Sequence, residues 1–186
     1  MKSELIDQLH LAVRGKQHII WDWNGTLLDD VGHAVSIMNS LLEEHELPKL
    51  ERERYRKIFD FPVLRYYEAL GFKFEKESFE SLCHKFVDRF MAGFANLPLI
   101  PEMKSVLMTL HQDGLSQSVL SATDQPNLNS MVSHFDLNGV FQFVFGIDNK
   151  FAGSKIDRGH ELIRLSGIPK NETVIIGRSE EHTSEL

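Results

Sequence analysis

The sequence predicts an α/β fold: a parallel sheet with helices on both faces, interrupted after its first strand by an all-helical insert. Three observations carry this. A short apolar run near the N-terminus ends in Asp22 and then the turn dipeptide Asn24-Gly25. Residues 31–97 hold helical periodicity and no strand pattern. After Pro98, strand-type runs alternate with helix-length segments, the pattern of βαβ units in a parallel sheet.

The elements follow in order. Residues 17–21, Gln-His-Ile-Ile-Trp, form the first strand. Over 30–46, Val35, Met38, Leu41 and Leu42 recur at helical spacing, and Pro48 lies beyond the end. Residues 51–70 read as two shorter helices broken near Pro62 and stopped by Gly71. Residues 78–94 give the clearest amphipathic helix, with Phe79, Leu82, Phe86, Phe90 and Phe94 on one stripe, assigned to the core of the insert. Pro101 opens a helix closed by Gly114, using proline's fixed φ at one end and glycine's access to positive φ at the other. Then come a strand at 115–120 ending at Ser121, a helix at 126–135, a strand at 140–145, a helix at 156–165 and a strand at 173–176. This divides the chain into a first core segment 1–30, a helical cap 31–97 and a second core segment 98–177.

Composition sets limits. With 186 residues the chain is long enough to bury a core, and 42% apolar with 25% charged residues is ordinary for a globular protein. A net charge of -7 argues against a nucleic-acid surface, which needs clustered Lys and Arg. No apolar run approaches the roughly 20 residues that span a bilayer. The first 17 residues, MKSELIDQLHLAVRGKQ, are amphipathic and carry acids, unlike a secretory signal. The single cysteine, Cys83, falls in an apolar helical pattern and reads as a buried thiol, which fits a reducing cytoplasm. The nine histidines show no metal-ligand spacing. No pattern sets an oligomeric state.

In an open parallel sheet, ligands gather at the carboxyl ends of the strands. Asp22, Ser121, Lys155 and Gly177 sit at four such ends. An aspartate can attack phosphorus and form an acyl phosphate, splitting one difficult displacement into two. The phosphoryl oxygens then need cations and donors, and Lys155 and Ser121 with the amides after it are of the right types. Singly, each residue has a plainer reading. Asp22-Trp-Asn-Gly is also a strand end and turn, Ser121 a cap hydroxyl, and Lys155 a solvated lysine.

Taken together, these segments resemble the haloacid dehalogenase superfamily. Asp22-Trp-Asn-Gly-Thr-Leu27 is similar to its first motif, Ser121-Ala-Thr123 to the second, Lys155 after Gly153-Ser154 to the third, and Val174-Ile-Ile-Gly177 to the strand entering the fourth. The insert matches the position of a class I helical cap, as in phosphoglycolate phosphatase-like members. The resemblance implies a Rossmann-like core and a Mg²⁺-dependent hydrolase of small phosphorylated metabolites working through an aspartyl phosphate. It implies Asp22 as nucleophile and metal ligand, and Asn24 as a metal ligand through its backbone carbonyl. Ser121 and the Ala122 amide would bind the phosphoryl group and Lys155 would neutralise it. Thr26 would support the first motif's turn, and Gly25 would permit its geometry.

Two positions depart from the family. Asn24 stands where family phosphatases carry a second aspartate that gives a proton to the leaving oxygen, help worth about 10²–10⁴-fold. The expectation is slow turnover with a preference for good leaving groups. Two alternatives stay open: a catalytically weak phosphate-ligand-binding or regulatory protein, and a phosphonatase-type C–P hydrolase. Phosphonoacetaldehyde hydrolases also lack an acid at this place and carry Trp where Trp23 stands; they use a cap lysine, for which Lys73, Lys76 and Lys85 are candidates by location. Tyr66, Tyr67, Arg65 and Phe61 near Pro62 are candidates for the pocket, with cap surface and cap core as equal alternatives. The second departure follows Gly177, where Gly-Asp and a further acid are expected and Arg178 stands instead. The string RSEEHTSEL at 178–186 is the in-frame translation of the start of a common sequencing-library adapter. It reads as a non-native tail on a truncated core, with poor magnesium binding as the expected consequence.

Overall fold

The computed structural model describes residues 4–59, 62–148 and 155–177. Its sheet is parallel throughout, in the order β3-β2-β1-β4. Strand β1 (His18–Trp21) lies in the middle, flanked by β2 (Ser116–Asp124) and β4 (Thr173–Ile176), and β3 (Phe143–Ile147) pairs outside β2. Every residue of β1 is buried, as a strand covered on both faces requires. Ile19 and Trp21 point into the larger apolar core, and Ile20 points to the opposite face with Leu120 and Leu162.

The larger core is closed by α1 (Glu4–Ala12), α6 (Met103–Gln112) and α7 (Gln125–His134) through Ile6, Val106, Leu107, Leu128 and Met131. The other face is covered by α8 (Ile156–Ser166), which places Leu162 and Ile163 on Phe143, Phe145 and Ile175. One polar bridge ties these layers: Trp21 Nε1 donates to Gln117 Oε1 at 3.0 Å, and Gln117 Nε2 donates to the Leu107 carbonyl at 2.9 Å. Breaking it would strand a buried donor, at a cost of about 1–3 kcal/mol.

Between β1 and α6 lie α2 (Val31–Glu44), α3 (Arg52–Ile58), α4 (Val63–Leu70) and α5 (Phe79–Gly93). They pack a second cluster of their own, built on Met38, Leu41, Leu42, Tyr66, Tyr67, Leu70 and Leu82. Its chain entry and exit run side by side, since Asp29 N donates to the Pro98 carbonyl at 3.0 Å and Ile100 N to the Leu27 carbonyl at 2.9 Å. The cap therefore hangs from two adjacent segments directly beyond Asp22.

Four readings need correction. Strand β2 runs on through Ser121 to Asp124, with a register shift between Leu120 and Asp124, so Ser121 lies within the strand. Strand β3 starts at Phe143, because Val140 and Phe141 are instead buried in the turn before it. The helix after Pro101 begins at Met103, with Glu102 in a left-handed conformation (φ 67°) ahead of it. The phenylalanine stripe of α5 is shared: Phe79 packs in the cap cluster and Phe90 in the main core, while Phe86 reaches both.

Candidate active site

The site is built on the turn that follows β1. Asp22 N donates to the Ile176 carbonyl at 2.9 Å, which fixes the end of β1 against β4. The Trp23 carbonyl accepts from the amides of Leu27 (2.9 Å) and Leu28 (3.0 Å), winding residues 23–28 into a tight loop. Gly25 takes φ 68° there, a left-handed conformation that costs a glycine little. The Trp23 side chain is fully buried in the core near Phe135 and not in the site. Gly177 meets a different constraint: a Cβ at that position would lie 2.9 Å from Asp22 Cβ, so the chain leaving β4 needs glycine where it passes the aspartate.

Asp22 is 4% exposed, and both its oxygens are held. Lys155 Nζ donates to Oδ1 at 2.9 Å, and Thr26 Oγ1 donates to Oδ2 at 3.0 Å. Lys155 stands at the N-terminal end of α8 and is itself buried. A buried ammonium 2.9 Å from a buried carboxylate is a charge-assisted bond, the stronger class of hydrogen bond.

Asn24 is the second hub. Its amide nitrogen donates to Asp30 Oδ2 at 2.6 Å, and its Oδ1 accepts from Thr123 Oγ1 at 2.8 Å and Ser121 Oγ at 3.3 Å. Asp30 stands at the N-cap of α2 but makes no side-chain cap bond, because its carboxylate reaches across to Asn24. Ser121 Oγ also accepts from the Thr123 amide at 3.1 Å and is fully buried. In this arrangement the Ser121 hydroxyl faces Asn24.

A cavity of about 160 Å³ separates core from cap above these groups. Asp22, Asn24, Asp30, Ala122, Thr123, Asp124 and Asn127 line it from one side, and aromatic and aliphatic cap side chains from the other. Lys155, Thr26 and Ser121 are not in its wall but bond to residues that are. The structure thus brings together Asp22, Asn24, Gly25, Thr26, Ser121, Ala122 and Lys155. Sequence reasoning missed Asp30 and Thr123. Asp30 had a signal, as an acid immediately before an amphipathic helix, but its diversion from capping to Asn24 has none.

The cap candidates divide. Tyr66 and Tyr67 line the cavity, Arg65 is exposed, and Phe61 lies outside the described residues. Lys73 and Lys76 are exposed, Lys85 pairs with Glu77 (2.8 Å) and Glu44 (3.5 Å), and none of the three lines the cavity. The C–P hydrolase reading therefore loses the lysine it needs. Gly153-Ser154 and the tail 178–186 lie outside the described residues.

The sequence profile of haloacid dehalogenase-like hydrolases matches residues 19–183. The chain belongs to that family. No curated protein sequence matches it. Among solved structures it is similar to a haloacid dehalogenase-like hydrolase from Streptococcus pneumoniae, at 17% identity and TM-score 0.73, over 89% of this chain and 77% of that one. It is also similar to a protein described as a predicted phosphoglycolate phosphatase from Haemophilus somnus, at 15% identity and TM-score 0.72, over 88% and 77%. A third is CbbY from Rhodobacter sphaeroides in complex with phosphate, at 17% identity and TM-score 0.65, over 86% and 76%. At these identities the likeness is one of fold. Among the described residues no helix is long and apolar enough to cross a membrane.

Proposed function

We propose that this hydrolase cleaves phosphate monoesters of small organic molecules, with Asp22 as the phosphoryl acceptor. One observation carries the reading. A buried carboxylate at the carboxyl end of the central strand faces a cavity between core and cap and is held 2.9 Å from a buried lysine. A structural ion pair has no need to stand at a cavity wall, whereas a nucleophile with a charge-neutralising partner does.

An Asp22 oxygen attacks phosphorus, the bond from phosphorus to the ester oxygen breaks, and its electron pair leaves with that oxygen. Water then attacks the acyl phosphate, releasing inorganic phosphate and regenerating the carboxylate. Lys155 neutralises charge gathering on the phosphoryl oxygens, and Thr26 keeps the carboxylate oriented. Asn24 has no proton to give, so the leaving oxygen departs as an anion or takes a proton from water.

Magnesium, which the family resemblance implies, does not find a full ligand set in the described residues. No group of three His, Cys, Asp or Glu side chains converges there. Mg²⁺ wants near-octahedral oxygen coordination, and one carboxylate with the Asn24 carbonyl is a poor start on it. The roles given to Asp22, Lys155, Thr26 and Asn24 stand without the ion. A reducing cytoplasm is the compartment this reading implies, because the single thiol, Cys83, is free and buried.

A second reading, a phosphate-ligand binder with little turnover, is favoured by Asn24 being clamped by Asp30 and Thr123 with no exchangeable acid in place. Time-resolved release from p-nitrophenyl phosphate separates the two. The expected result is continuing release in the intact chain and none in Asp22→Asn. Release that stops at or below one equivalent supports the binder, and unchanged release in Asp22→Asn removes Asp22 from the chemistry.

A further inference from the structure

The cavity above Asp22 has one sign of selectivity built into it. Of the described residues lining it, none is Lys, Arg or His. On the cap side the wall is made of Met38, Tyr55, Phe59, Tyr66, Phe86 and Phe90. A substrate whose organic part carries a carboxylate or second phosphate would bury that charge against aromatic rings with no counter-ion among the described lining residues, which disfavours it. Lys155 offers no relief for that second charge, because it is held at Asp22 on the core side, where the phosphoryl group binds, and not in the cap wall.

Size and polarity narrow the class further. The cavity measures about 160 Å³; a protein cavity of roughly 150 Å³ lined by apolar side chains takes up benzene. Tyr66 lines it through its ring, since its hydroxyl is buried out of reach of the cavity, so this residue too offers the ligand an apolar face.

The chemistry below agrees with the shape above. An ester whose leaving oxygen is an alkoxide needs a proton, and Asn24 cannot supply one. A phenolate leaves without it. Resting on the phosphoryl-transfer reading for the position of Asp22, we propose that the substrate is a small aryl phosphate, with one uncharged aromatic ring held in the cap cavity and its ester phosphate at Asp22.

The test uses the 186-residue chain and two phosphonates that share a head group and cannot be hydrolysed. By titration calorimetry, benzylphosphonate should bind at least tenfold more tightly than phosphonoacetate, whose tail is a carboxylate. Val87→Arg, which sets a cation in the same wall, should reverse the order while circular dichroism shows the fold retained. Equal affinities, a preference for phosphonoacetate in the unmodified chain, or no detectable binding of either would overturn the proposal. If the benzylphosphonate preference holds but no ester releases phosphate, the hydrolytic reading fails and the aryl cavity stands. If phosphoglycolate turns over at least as fast as phenyl phosphate, the aryl assignment fails and the hydrolytic reading stands.

Discussion

Asn24 donates its side-chain amide to Asp30 Oδ2 at 2.6 Å, so the position beside the nucleophile is filled by a group that holds hydrogen bonds but exchanges no proton. Asn24→Asp would set two carboxylates against each other at that distance. Two carboxylates so close cannot both ionise freely, so the pair keeps a proton to higher pH than either acid alone. That proton is the missing acid. The expected outcome is a rise of tenfold or more in kcat for an alkyl phosphate and little change for p-nitrophenyl phosphate, whose leaving group needs no protonation. Unchanged alkyl ester turnover would show that another group already delivers the proton. The retained proton also gives the variant a stability term that is present at low pH and lost as pH rises through the pair's raised pKa.

Lys155 and Asp22 answer a different question, whether the pair serves stability or chemistry. Lys155→Met removes the ammonium from a carboxylate that is 4% exposed and leaves the Thr26 hydroxyl as its donor. The uncompensated charge should cost about 1–3 kcal/mol, a value kept moderate because Asp22 opens on a cavity that water can enter. Adding Asp22→Asn removes the stranded charge, so the double variant should recover most of the lost stability in urea denaturation. It should recover no phosphatase activity. A single Lys155→Met variant that melts like the parent would mean the ion pair is not formed in solution.

The sheet and most of the site were legible because they rest on short-range patterns. A strand ending in an acid and a glycine turn announces Asp22 and Gly25, and alternation of strand and helix orders the rest. Lys155 was legible only through its place in a motif series, since a lysine at a helix start is usually solvated. What stayed hidden depends on geometry across the fold. The Asn24–Asp30 bond joins a turn to a helix start by a side-chain choice that propensity does not set. The extension of β2 to Asp124 comes from pairing with β3, whose Ile147 lies opposite Asp124. The division of the α5 phenylalanines between two cores follows from α5 being the cap helix whose side chains join both the cap cluster and the main core, which helical periodicity cannot report.

His18 gives a pH dependence whose direction follows from burial. It is fully buried at the start of β1, with Nδ1 2.8 Å from Ser116 Oγ and Nε2 without a partner among the described residues. With no anion beside the imidazolium among the described residues, burial pushes its pKa down to about 4. Between pH 6.5 and 4 the unfolded chain takes up a proton at this residue and the folded chain does not. Unfolding therefore consumes a proton, and stability falls as pH drops across that window. A displacement from about 6.5 to about 4 corresponds to roughly 3 kcal/mol at the low end. His18→Gln stays neutral throughout and can still bond Ser116. In urea titrations at pH 7.5, 5.5 and 4.5, the stability gap between parent and variant should move in favour of the variant as pH falls, because carboxylate titrations common to both cancel in the difference. A gap that stays constant across those three pH values would mean that His18 titrates in the folded state as it does in the unfolded chain, and would remove it as a source of pH dependence.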